Sequence, residues 1–162
     1  MITKNKMSVL FVCTGNICRS PTADAVLRRL VREAGLEQSV IVDSAGTHDY
    51  HAGEPPDARA QEHASRRGYD LSPLRARKVA RADFTQFDLI LAMDRGHLRL
   101  LERACPPEQR HKLRLFMEYA EDSAADEVPD PYYGGPDGFE RVLDMVESGA
   151  RGLLGEIQKR RS

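Results

Sequence analysis

The sequence predicts an α/β fold: one domain of three layers, with a central four-stranded parallel sheet flanked by helices. Two observations carry this expectation. Short apolar runs recur at Val9 to Val12, Val40 to Val42, Phe87 to Met93 and Leu113 to Phe116, with the length and composition of buried strands. Segments with helical apolar spacing lie between them, and strands alternating with helices close into a parallel sheet through right-handed crossovers. At 162 residues and 41% hydrophobic composition, the chain from 1 to 162 matches a single domain able to bury its own core.

The elements follow in order. Val9 to Val12 ends at Thr14-Gly15-Asn16, so the first strand enters a turn. A helix should follow, with Ser20 as its cap, Pro21 at its first position, and Ala25, Val26, Leu30 and Val31 on its apolar face until Gly35 stops it. Val40 to Val42 leads through the turn-rich segment Asp43 to Pro55 into a helix from Pro56 to Arg67, closed by Gly68. After the strand at Phe87 to Met93, Asp94 caps a helix that carries Leu98, Leu100 and Leu101 and breaks at Pro106-Pro107. Leu113 to Phe116 completes the sheet. Beyond the acidic stretch Glu121 to Glu127, Val128 to Gly135 must be a loop. A terminal helix from about Gly138 to Lys159 is expected to bury Phe139, Val142, Leu143, Val146 and either Leu153 or Leu154.

Composition excludes several function classes. Lys plus Arg, 24 in all, nearly balance the 25 Asp plus Glu, so no net field draws the chain to nucleic acid or anionic lipid. No apolar run approaches the roughly 18 residues of a membrane span, and Met1 to Lys6 is polar rather than leading into a signal-peptide core, so a cytoplasmic location is expected. Three cysteines, Cys13, Cys18 and Cys105, point to reduced thiols rather than a disulfide framework.

The segment Cys13-Thr14-Gly15-Asn16-Ile17-Cys18-Arg19-Ser20 lies beyond the carboxyl end of the first strand, where open α/β sheets bind ligands. Five residues between Cys13 and Arg19 let the backbone curl round a small anion, backed by the positive end of the following helix. Gly15 and Asn16 tolerate the left-handed conformations such a phosphate loop requires. Arg19 supplies a planar fork able to grip two phosphate oxygens. The same field favours the thiolate of Cys13, making it a nucleophile. Burial of Cys13 as a small hydrophobe would explain neither the Gly-Asn turn nor the Arg-Ser ending. A zinc site lacks a second Cys/His pair near Cys13 and Cys18, and an ATP-binding loop lacks its Gly-Lys-Ser/Thr ending. Neither metal nor cofactor is expected.

Breaking an aryl phosphate ester also needs a proton donor for the departing phenolate. Asp130, fixed between Pro129 and Pro131, is the candidate. Tyr132 and Tyr133 follow it and could wall a pocket deep enough for a phenol ring, with Tyr50 as a further wall. His48, His51, His63, His97 and His111 sit in polar surroundings and are expected to be solvated surface groups.

Together, Val9 to Pro21 and Asp130-Pro131-Tyr132-Tyr133 closely resemble the low molecular weight protein tyrosine phosphatases. The likeness runs over essentially the whole chain and includes Asp43-Ser44-Ala45-Gly46-Thr47 and Phe87 to Asp94. It implies that Cys13 attacks phosphorus and that Asp130 protonates the leaving tyrosine and then activates water. Arg19 and the amides of Thr14, Gly15, Asn16, Ile17 and Cys18 would hold the phosphate oxygens. It also implies a hydrogen bond from Ser20 to the Cys13 thiolate, bracing of the loop by Asn16 and Ser44, and a reversible Cys13–Cys18 disulfide that protects the nucleophile. Phosphotyrosine proteins would be the substrates, a bacterial tyrosine kinase or a sugar-polymer export protein is a candidate partner, and the chain would be a monomer or weak homodimer. One departure stands out: Leu74 occupies the place where many relatives carry a histidine that completes the brace, which predicts a looser phosphate loop.

Two other readings compete. An arsenate reductase on the same fold would need a thiol pair near the third strand, and only Cys105 lies beyond the loop. A non-catalytic phosphotyrosine or oxyanion binder would require neither Cys13 nor Asp130.

Overall fold

The computed structural model describes residues 6–131 and 135–161, apart from the side chain of Pro136. The sheet is formed by β1 (Met7–Cys13), β2 (Val40–Gly46), β3 (Leu89–Ala92) and β4 (Leu113–Leu115). Its strands are ordered β2-β1-β3-β4 and all pair in parallel. The helices are α1 (Arg19–Glu33), α2 (Ala58–Arg66), α3 (Asp83–Gln86), α4 (Arg95–Ala104) and α5 (Gly135–Arg161). Short 3-10 turns over Pro107–Lys112 and Phe116–Tyr119 flank β4.

The alternation of β1 explains the two layers of helix. Val9, Phe11 and Cys13 face a core built with α1, α2 and α5, whereas Leu10 and Val12 face a second core with Phe84, Phe87, Leu101 and Cys105. The middle of the strand is buried on both faces, hence the unbroken apolar run from Val9 to Val12. Phe11, fully buried, meets the edge of Phe116 at 5.2 Å between ring centroids.

Several boundaries differ from expectation. The N-cap of α1 is Cys18, not Ser20, and it makes no side-chain capping bond. The Ser20 hydroxyl is instead engaged by Cys13 and Asn16. Asp57 caps α2, accepting from the amides of Arg59 and Ala60, so this helix starts two residues after Pro56. Asp94 caps α4 as expected, but Leu100 on that helix is exposed. Leu153 takes the fully buried place in α5, and Lys159, Arg160 and Arg161 in its last turn suit the negative end of the helix dipole. His63 is buried rather than solvated, stacked on Phe139 and paired with Glu140. Beside it Arg67 bridges Glu140, Asp144 and Glu147, tying the end of α2 to α5. No described helix is long and apolar enough to cross a membrane.

Candidate active site

The central strand β1 delivers Cys13, 3% exposed, to the carboxyl edge of the sheet. The connection from β1 to β2 runs through α1 on one face and that from β3 to β4 through α4 on the other. The loop after Cys13 therefore opens into the crevice where the direction of winding changes.

Every bonded carbonyl of that loop is turned outward. Cys13 O accepts from Thr47 N at 2.8 Å, Thr14 O from His48 N at 3.0 Å, and Ile17 O from Asp57 N at 2.8 Å. Cys18 O accepts from the Thr22 hydroxyl at 2.7 Å. A trans peptide points its N–H opposite to its C=O, so the amides of Thr14, Gly15, Cys18 and Arg19 are aimed the other way, as an anion-binding nest requires. The first turn of α1 adds its dipole, with no acidic residue there to oppose an anion.

Asn16 holds this curve from beneath. Its φ of 59° is left-handed, a conformation asparagine tolerates better than most residues. Its Nδ2 donates to Ser20 Oγ at 2.8 Å and Ser44 Oγ at 3.0 Å, and its Oδ1 accepts from Arg77 N at 3.0 Å. Gly46 lies against the loop so closely that a Cβ would fall 2.7 Å from Thr14 O. Asn16, Ser20 and Ser44 thus brace the loop, whereas Leu74 is partly buried against the main core.

Ser20 Oγ lies 3.0 Å from Cys13 Sγ, and Ser20 N points at the same sulfur from 3.5 Å. Both can stabilise a thiolate. Arg19 is 5% exposed. Its Nη1 donates to Asp94 Oδ2 and to Val128 O, each at 3.0 Å, and its Nη2 lies 3.4 Å from His97 Nε2 and 3.9 Å from Asp130 Oδ2. Burial works against the charge on Asp94, yet the hydrogen bond from the His97 amide and the bonded guanidinium of Arg19 outweigh it and hold this carboxyl below the usual range. Val128 is itself wedged into the core and donates its N–H to Met93 O at 2.8 Å, so the segment presenting Asp130 is anchored just two residues upstream.

Cys13, Arg19 and Asp130 open onto a cavity of about 270 Å³. Cys13, Thr14, Gly15, Ile17, Cys18, Arg19, Tyr50 and Asp130, all expected at the site, line it. Tyr50 stands at the rim, 67% exposed and stacked on His48 with ring centroids 4.8 Å apart. Tyr132 and Tyr133 lie outside the described residues. Cys18 is buried, and burial first, then the carboxylate of Asp57 and the neighbouring Cys13, push its thiol far above the ordinary range. It is a thiol, not a competing thiolate. Cys105 sits in the second core, donating to Pro106 O, away from the cavity. Among the described residues no group of three or more His, Cys, Asp or Glu could hold a metal.

Three neighbours escaped the sequence reading. His51 lines the cavity beside Gly15. Asp94, visible as a helix cap, also pairs with the clamp. His97, expected at the surface, is 4% exposed and touches Thr14 and Arg19. Its one legible signal was its place three residues after the cap, where the first turn of α4 faces the loop.

The low molecular weight phosphotyrosine protein phosphatase family model matches residues 8–162. A low molecular weight protein-tyrosine-phosphatase of Streptomyces coelicolor is 47% identical over 154 residues, covering 93% of each chain. The solved protein tyrosine phosphatase of Entamoeba histolytica superposes with a TM-score of 0.93 at 38% identity, covering 97% of this chain and 100% of that one. The solved Drosophila arginine phosphatase superposes at 0.85 with 34% identity, covering 93% and 97%. The fold, its loop and these likenesses agree, and the chain belongs to the low molecular weight phosphotyrosine protein phosphatase family.

Proposed function

We infer that the chain hydrolyses phosphotyrosine in proteins through a cysteinyl-phosphate intermediate. The observation that carries this reading is the convergence of Cys13, Arg19 and Asp130 on one cavity. In the first step the Cys13 thiolate forms a bond to phosphorus as the bond to the phenolic oxygen breaks, and protonated Asp130 gives its proton to that oxygen. In the second step the Asp130 carboxylate takes a proton from water, whose oxygen attacks phosphorus and expels the thiolate with inorganic phosphate. Arg19 and the loop amides bind the oxygens throughout. Ser20 stabilises the thiolate at the start and end of the cycle.

The wall formed by Ile17 and Tyr50 favours an aromatic leaving group, since the Ile17 side chain offers no acceptor to a guanidinium. In this reading one domain spans residues 1 to 162 and acts without a cofactor in a reducing, cytoplasmic compartment, which suits three free thiols. Its partners are phosphotyrosine proteins, with a bacterial tyrosine kinase as the first candidate, and the working unit is a monomer or weak homodimer. Cys18 acts as the resolving thiol for an oxidised Cys13.

Hydrolysis of p-nitrophenyl phosphate and of a phosphotyrosine peptide, beside a phosphoarginine peptide and in the presence of a chelator, tests the reading. Chelator-resistant turnover of the aryl esters, lost in Cys13→Ser, supports it. Preference for phosphoarginine, or no turnover of any ester by the reduced protein, overturns it.

A further inference from the structure

His97 has no part in the chemistry just described, yet it is among the most constrained groups around it. The ring lies in the first turn of α4, 4% exposed. Its Nε2 is 2.8 Å from Thr14 Oγ1 and 3.4 Å from Arg19 Nη2. A guanidinium has only donors, so a ring nitrogen beside it must present a lone pair. The proton of the neutral ring therefore sits on Nδ1, and Nε2 accepts from both the Thr14 hydroxyl and Arg19. Nδ1 has no hydrogen-bond partner among the described residues, but Asp94 Oδ1 lies 3.2 Å from it, off the hydrogen-bond angle. Asp94 on one side and Arg19 on the other thus select the same tautomer.

This contact divides the work of holding the clamp. Asp94 and Val128 O take Nη1, while Nη2 has His97 at 3.4 Å and Asp130 at 3.9 Å. An acceptor at His97 holds Nη2 back from Asp130. Without it, Nη2 would close on that carboxylate and tie the proton donor to the clamp. The Thr14 hydroxyl, the other group on Nε2, opens the phosphate loop itself, so one lone pair sets both the loop and the guanidinium.

We propose that His97, as the neutral Nδ1–H tautomer, is a positioning residue of the phosphate site, aiming Arg19 and Thr14 at the phosphoryl group and keeping Arg19 apart from Asp130. The proposal rests on the functional reading above, and its test separates the two. Nitrogen-15 spectra of the histidine rings in the wild-type protein at pH 7 should show His97 protonated on Nδ1 alone. An Nε2–H tautomer or an imidazolium would overturn the proposal whatever the enzyme's activity.

Inorganic phosphate affinity, as competitive inhibition or by direct titration, and kcat on p-nitrophenyl phosphate supply the functional arm. His97→Leu, which fills the space without an acceptor, should weaken phosphate binding about ten-fold, the scale of a hydrogen bond to a charged group, and lower kcat. His97→Gln can place its amide oxygen where Nε2 stands and should recover most of both. Wild-type phosphate affinity in His97→Leu, or a His97→Gln variant that folds yet has lost all of the affinity, contradicts the proposal. Should His97→Leu fail to fold, the ring spectra and His97→Gln still decide. A wild-type protein that binds phosphate but turns over no ester would count against the functional reading alone.

Discussion

The carbonyl of Val128 accepts a 3.0 Å hydrogen bond from Arg19 Nη1, joining the phosphate clamp to the segment that carries Asp130. Val128 is fully buried, and its N–H is taken by Met93 O at the end of the sheet. The acid and the clamp are therefore registered to each other through backbone, a connection that side-chain variation on the rim cannot disturb.

Val128→Ala should cost about 2 kcal/mol of stability, from lost burial and the cavity left behind. It should also lower kcat on p-nitrophenyl phosphate several-fold as the Asp130 segment loosens. Urea denaturation and steady-state kinetics on the same preparation check both. A stability loss with unchanged kcat would show that Asp130 is held by its prolines and not by this anchor.

Ser20→Ala removes the hydroxyl 3.0 Å from the Cys13 sulfur and one of the two partners of Asn16 Nδ2. The expected result is a fall in kcat of about ten-fold, in line with one hydrogen bond to a charged group, with the circular dichroism spectrum unchanged.

Burial, and then the charge of Arg19, push His97 down to about 4, against opposing contributions from Asp94 and Asp130 and a small further lowering by His48. Between its unfolded value of about 6.5 and that folded value, the unfolded chain binds a proton that the native protein refuses. Stability from this group therefore falls as pH drops through that window and is regained as pH rises. Between pH 7 and pH 5 the wild type should lose about 2 kcal/mol more than His97→Gln, with other groups cancelling in the comparison. Equal losses measured by urea denaturation would mean the ring takes up its proton in the native state.

Two glycines of α5 should respond in opposite directions to alanine. A Cβ on Gly152 would stand 1.7 Å from Tyr119 O, whereas one on Gly155 meets nothing within 4 Å. Gly152→Ala must push α5 off the 3-10 turn and should destabilise by about 3 kcal/mol. Gly155→Ala should stabilise by about 1 kcal/mol through helix propensity. Thermal unfolding of the two variants gives the comparison directly.

The sheet and most helices were legible because their signals are local. Val9 to Val12 of β1 read as an unbroken apolar run since both faces of the strand are buried there, and Asp94 reads as a cap because capping acts within three residues. The loop from Cys13 to Arg19 was legible for the same reason, its chemistry being contiguous in sequence. What surrounds it was not. Asp94 meets Arg19 across 75 positions and Val128 across 109, and nothing local marks either pair. The polar residues around His97 in the sequence, Arg95 and Arg99 among them, suggest a solvated group, yet the helix turns its own side chain inward. A serine before Pro21 fits the pattern of a cap, but Ser20 does not act as one. Its hydroxyl is spent on Cys13 and Asn16, and the uncapped helix start is left to face an anion. Leu74, read as a gap in the brace, packs against the main core, and Asn16 holds the loop through three hydrogen bonds, one of them from the backbone of Arg77.

The most direct test of the account is to trap the intermediate. Asp130→Ala, rapidly quenched in acid during turnover of p-nitrophenyl phosphate and digested, should yield the peptide containing Cys13 with a phosphoryl group on that cysteine, and Cys13→Ser should yield none. A burst of p-nitrophenolate with no phosphocysteine, or phosphate found on another residue, would contradict covalent catalysis by Cys13.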